Sequence, residues 1–235
     1  MRGRAFACLA AFGLALSGTA DAAERADPNN PSCPQQPSWG STQPMQLSVQ
    51  QRGGRKLLFA EGAIDDNLVP RLTAAVERNQ PIDEIWLRSP GGNARVGNQA
   101  GMLIRKWGIP TRIPAGWACF SACNFLFMGG AIRMVDPGGL FIVHMFTHTG
   151  DRQTIEAEVL RGTDNTVGLI GDIEQDSALL ASEDNDFLIR MGVSRKLLTE
   201  VMYQQKAVAE PGGHGSTRRC LTQDEVHRYN VANFR

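Results

Sequence analysis

The chain has 235 residues, 42% hydrophobic and 20% charged, and its 24 basic and 24 acidic side chains cancel to a formal net charge of zero. That is globular composition, long enough for one substantial core and too short for two large domains. The charge balance offers no basic surface of the kind that nucleic acid requires, so no nucleic-acid partner is expected.

Residues 1–22 read as a secretory signal peptide. Arg2 and Arg4 give a basic start, residues 5–17 are apolar, and Ala20-Asp21-Ala22 fits a small-x-small cleavage site. The apolar run is shorter than the ~20 residues a membrane-spanning helix needs. No later stretch is apolar enough to span, and Cys8 lacks the small-residue pattern of a lipid-anchored cysteine. The expectation is a soluble exported protein, periplasmic or secreted, with no membrane span in the mature chain. Cleavage leaves Cys33, Cys119, Cys123 and Cys220, an even number in an oxidising compartment. Pairing Cys119 with Cys123 would leave Cys33 and Cys220 to tie the chain's ends together, provided their Cα atoms come within ~7 Å. The other reading makes the two cysteines near Ser121 reduced, small packing residues. A redox pair ranks below both, because C-x-x-x-C is not the usual C-x-x-C spacing.

Residues 23–45 carry five prolines among Asn, Ser and Gln, which predicts an extended or disordered lead-in before a single domain over 46–235. Residues 47–62 predict a hairpin around Gly53-Gly54 that ends in a buried strand over 56–60. Helical spacing of apolar residues follows at 66–78, then a strand at 82–87 running into Ser89-Pro90-Gly91-Gly92. A second helix is expected at 98–107, a short strand at 110–114, and an apolar helix at 121–128. Residues 132–135, a turn at 136–139 and a strand at 140–143 come next. From Thr154 to about Gln205 one or two longer helices are predicted, and 209–216 is a glycine-rich loop. Alternating strand and helix argues for a layered α/β architecture.

Three segments carry candidate chemistry. Gly91 and Gly92 at a strand's end can turn their N–H groups outward, as an oxyanion hole requires, although such a tripeptide also makes an ordinary strand-to-helix turn. Ser121, at the expected first turn of an apolar helix, lies beside unpaired backbone N–H groups, among them that of Ala122; plain helix capping would explain a serine there equally well. His144 ends an apolar strand and titrates near working pH, which suits a general base or a hydrogen-bonded core histidine. His144 and His148 would make an H-x-x-x-H zinc pair on a helix. This segment reads as strand running to loop, and no third ligand stands out.

Taken together, "SPGG" at 89–92, "ACFSACNFLFMGG" at 118–130 and "GGLFIVHMF" at 138–146 resemble the Clp protease proteolytic subunit, within the ClpP/crotonase-like superfamily. The resemblance covers roughly residues 56–150. It implies a layered β/β/α spiral of repeated strand-strand-helix units with C-terminal helices. The 23 positions from Ser121 to His144 are close to that family's interval between nucleophile and base. The resemblance therefore implies Ser121 as nucleophile, His144 as base, and Gly92 and Ala122 as oxyanion donors, with Gly91 the neighbouring alternative. It implies no metal or organic cofactor, a peptide or unfolded protein as substrate, and homo-oligomerisation through the C-terminal helices. The family's catalytic aspartate corresponds here to Arg218, and Asp172, Asp176 and Asp224 are unanchored substitutes. A lysine base, as in the related signal peptide peptidases, would have to be Lys196 or Lys206, in unmatched sequence. Two rivals stand beside the serine hydrolase: a non-catalytic binding module with a degenerate site, and an acyl-CoA enzyme of the crotonase type.

Overall fold

A computed structural model describes residues 25–209 and 215–234; the segment read as a signal peptide and most of the glycine-rich loop lie outside the described residues. The lead-in takes up structure from its first described residues. β1 (Ala26–Asp27) and β2 (Asn30–Pro34) form a small antiparallel ribbon, and the ring of Trp39 stacks on Phe120 at 5.5 Å. Hydrogen bonds between Asp27, Asn29 and Asn30 close the ribbon's turn, the local role short polar side chains favour.

β3 (Gln46–Arg52) and β4 (Arg55–Glu61) make the expected hairpin, with Arg52 opposite Arg55 across Gly53-Gly54. Then follow α1 (Leu68–Asn79), β5 (Glu84–Arg88), α2 (Ala94–Trp107), β6 (Thr111–Ile113), β7 (Ala118–Phe120) and α3 (Cys123–Gly129). β8 (Arg133–Val135) and β9 (Leu140–Val143) lead to α4 (Arg152–Arg161) and the long α5 (Thr163–Met191). A π-helical turn at Leu197–Val201 runs into a 3-10 turn at Met202–Gln204, and β10 (Arg219–Cys220) and α6 (Gln223–Arg228) close the chain.

Five strands form one sheet in the order β3-β4-β5-β6-β8, parallel from β4 onward. A second sheet runs β10-β9-β7, and the Ser89–Cys119 bridge joins the continuation of β5 to it. Each successive segment (β5 with Ser89, β6 with β7, β8 with β9) therefore gives a strand to both sheets, with α2 and α3 returning the chain between them. This is the layered spiral expected of the chain. Leu57, Leu58, Phe59 and Ala60 of β4 are all buried, as a strand covered on both faces demands. α1 covers the sheet with Leu68, Leu72, Ala75 and Val76, one apolar stripe at helical spacing.

Both cysteine pairs are disulfides. Cys33–Cys220 joins β2 to β10 with Cα atoms 5.1 Å apart, and Cys119–Cys123 spans 5.4 Å from β7 to the start of α3. Among the described residues no helix is long and apolar enough to cross a membrane. Three boundaries differ from expectation. α2 begins four residues early because Asn93 caps it, its side chain accepting from the Val96 N–H at 3.1 Å. Residues 118–120 form a strand, and α3 begins at Cys123 rather than at Ser121. α6, unread in the sequence, is opened by a capping box between Thr222 and Glu225.

Candidate active site

β7 delivers Ser121 at its carboxyl end, and β9, its parallel neighbour, delivers His144 at the same end. Pairing of Phe120 with Ile142 fixes this register, so the two side chains emerge side by side. Ser121 Oγ lies 2.7 Å from His144 Nε2, within the distance that a nucleophile would need from a base. Ser121 has a φ of 58°, in the left-handed region that residues with a Cβ avoid. Its conformation is held from both ends: its N–H points to the Ile142 carbonyl at 3.4 Å, and its own carbonyl accepts from the Asn124 N–H at 2.9 Å. The Asn124 side chain adds a second tie, Nδ2 donating to the Ile142 carbonyl at 2.8 Å.

The His144 ring packs against Phe120 at 4.8 Å between centroids. Burial pushes its imidazole below the usual value, and a main-chain hydrogen bond with Met145 pulls it partly back. β10 begins with Arg219 opposite Val143, so Arg218 lies just outside the ladder, at the end where β9 leads into His144. Its guanidinium turns to Asp27, 2.8 Å away, and over the Trp39 ring. Asp176 lines a second cleft onto which Ser121 and His144 also open, but it is engaged with other partners, accepting from Arg95 at 2.6 Å and meeting His148 Nε2 at 3.0 Å. Among the described residues no cluster of three His, Cys, Asp or Glu side chains has metal-holding geometry. Asp172 and Asp224 form no contact with the imidazole.

The two glycines do different things. Gly91 has a φ of 87° and donates its N–H to Ser89 Oγ at 3.0 Å, so that N–H is engaged. A Cβ on Gly91 would stand 2.6 Å from the Ser121 Cβ, so only glycine lets the strand end lie against the serine. Gly92, with a φ of 142°, is pressed against Ile64, and its N–H has no protein acceptor among the described residues. The Ala122 N–H, ahead of α3, is free in the same sense.

A cavity opens beside Ser121 and His144, enclosing about 530 Å³ of empty space including its mouth. Its walls are apolar, with Phe125, Met128, Phe141 and Leu198 prominent, and one carboxyl, that of Asp184 on α5, lines it. Nothing in the periodicity of 163–191 singled out Asp184 from the other acidic residues of that helix.

This architecture is the ClpP/crotonase-like α/β fold. In particular, the chain is similar to the ClpP1 N165D mutant from Listeria monocytogenes, with a TM-score of 0.51 and 13% identity, covering 75% of this chain and 88% of that one. An enoyl-CoA hydratase from Shewanella pealeana ATCC 700345 is matched over 41% of this chain and 49% of its own, with a TM-score of 0.33 and 16% identity. Neither a protein-family model nor a curated protein matches the sequence.

Proposed function

We propose that the chain is an exported serine hydrolase, a peptidase working by acyl transfer through a Ser121–His144 dyad. The observation that carries this reading is the 2.7 Å contact between Ser121 Oγ and His144 Nε2. His144 takes the hydroxyl proton as Ser121 Oγ bonds to the scissile carbonyl carbon. The oxyanion then receives hydrogen bonds from the Gly92 and Ala122 N–H groups, while Gly91 lets the strand end approach. The C–N bond breaks, the amine leaves with the proton from His144, and water attacks the acyl-serine by the same route in reverse. None of these steps requires a metal or an organic cofactor.

Residues 1–22 would direct export, which the two disulfides are compatible with. Outside the cell interior an energy-dependent unfoldase is not expected, so the substrate is a short or already unfolded peptide. Homo-oligomerisation is proposed from the ClpP-like fold. A fluorophosphonate probe should label the wild-type protein and leave Ser121→Ala and His144→Ala unlabelled. One feature favours a second reading, a binding module with a degenerate site: by the sequence resemblance, Arg218 falls where the family has its acid. Absence of labelling at every pH would decide for that reading.

A further inference from the structure

The cavity beside Ser121 combines apolar walls with two polar groups that the fold leaves unused. Asp184 has neither a hydrogen-bond donor nor a cation as partner among the described residues. Asn124 is 5% exposed, and because its Nδ2 is committed to the Ile142 carbonyl, the free atom must be Oδ1. A buried acceptor left without a donor, as Asn124 Oδ1 is, costs about 1–3 kcal/mol; beside the half-buried, unpaired Asp184 carboxyl it calls for something that donates. We propose that this cavity is the specificity pocket for the substrate residue on the acyl side of the scissile bond, and that it takes a basic, lysine-type side chain whose ammonium meets Asp184.

The chemistry of that occupant follows from the walls. A long methylene stem matches Phe125, Met128, Phe141, Leu188 and Leu198, and a terminal cation supplies the donors that Asp184 lacks. An aliphatic side chain of the same length would satisfy the walls and leave the carboxyl stranded. Burial, with the negative charge of Glu183 nearby, pushes the unliganded Asp184 up to about 7, the behaviour of a carboxyl waiting for a counter-ion. Asp184 is not the missing third member of the dyad. No hydrogen bond or ion pair joins it to His144, whose ring meets Ser121 instead.

This assignment rests on the hydrolase reading only for the cavity's role, so the pocket is tested apart from catalysis. Binding of Nα-acetyl-lysinamide and Nα-acetyl-norleucinamide to Ser121→Ala protein should favour the lysine compound by about tenfold or more, and Asp184→Asn added to it should bring the two to parity. In the wild type, lysine thioesters should be cleaved with a correspondingly higher kcat/KM than norleucine thioesters, a ratio lost in Asp184→Asn. Asp184→Ser serves as a second variant, and undiminished fluorophosphonate labelling of Ser121 in either variant reports a folded site. Equal binding of the two amides by the Asp184-containing protein overturns the proposal, as does a lysine preference that survives both substitutions. Lysine preference in binding without any labelling would keep the pocket and discard the hydrolase.

Discussion

Ser121 holds a φ of 58°, a conformation that costs a residue with a Cβ about 1–3 kcal/mol and persists only where its surroundings over-determine it. The over-determination is visible: a disulfide from Cys119 to Cys123 brackets the serine, and both flanking peptides are hydrogen-bonded. The hydroxyl is thereby thrust out of the strand end toward His144 rather than folded back as a helix cap. Gly91 is part of the same device. Gly91→Ala would bring a methyl group to 2.6 Å from the Ser121 Cβ and 2.7 Å from the Phe120 carbonyl, at a φ that alanine resists. The strand end must then retreat from the serine, and labelling of Ser121 should slow by about a hundredfold, as expected for misplacement on the ångström scale. A stopped-time labelling series on the purified variant checks this.

His144 supplies the pH dependence. A base acts only when neutral, and burial disfavours the charged imidazole, so the folded ring remains neutral to lower pH than a free histidine. In the Asp184→Asn variant, which removes the Asp184 titration, kcat/KM should fall on acidification with a midpoint below 6.5, the ordinary histidine value. A midpoint at or above 6.5 would mean that the imidazole is hydrated or paired with a carboxylate in the working enzyme.

At the scale of elements, periodicity made the hairpin, α1 and β5 legible, because each buries one face or both faces of a regular repeat, while flanking Pro and Gly residues marked β6 and β9. Residues 118–120 escaped because three residues carry no period, and only pairing with β9 makes them a strand. That omission moved Ser121 from a helix's first turn to a strand's end, yet left its distance to His144 unaffected, since the register of β7 against β9 sets it. The pairing of Ser121 with His144 was legible because motif order survives such errors. Asp184 and Asn124 were not, since their significance lies in the absence of partners around a cavity. Arg133, on the three-residue β8, was also unreadable. It is 1% exposed and its guanidinium donates to the carbonyls of Val231, Asn230, Gly130 and Met191 at 2.8–3.4 Å. Burial, with Arg105 nearby, lowers it to about 10, so it remains charged at neutral pH. It is thus a cationic hub fastening the last residues and the end of α5 to the sheet. Arg133→Met would strip the Val231, Asn230 and Gly130 carbonyls of this donor, Met191 keeping Arg105, and should cost about 3 kcal/mol in guanidinium unfolding. Arg133→Lys, which keeps the charge but not the fork of donors, should lose less.

The whole molecule is closed by two disulfides with separate tasks. Cys33–Cys220 spans 187 positions and holds the lead-in ribbon and β10 on the edge of the sheet that carries His144. Cys119–Cys123 spans four and braces only the turn at Ser121. Loop closure in the unfolded chain is worth about 5 kcal/mol for the long loop and about 2 kcal/mol for the short one on the chain-entropy account. The two should therefore separate stability from reactivity. Replacing Cys33 and Cys220 together by serine should lower the guanidinium midpoint sharply, by the larger share of that difference, while the Ser121–His144 register, set by β7 and β9, survives in the remaining folded protein. Replacing Cys119 and Cys123 by alanine should cost less stability yet slow fluorophosphonate labelling more, because the left-handed serine loses its brace. The same order of labelling rates in both double variants would show that the turn at Ser121 is held by its hydrogen bonds alone.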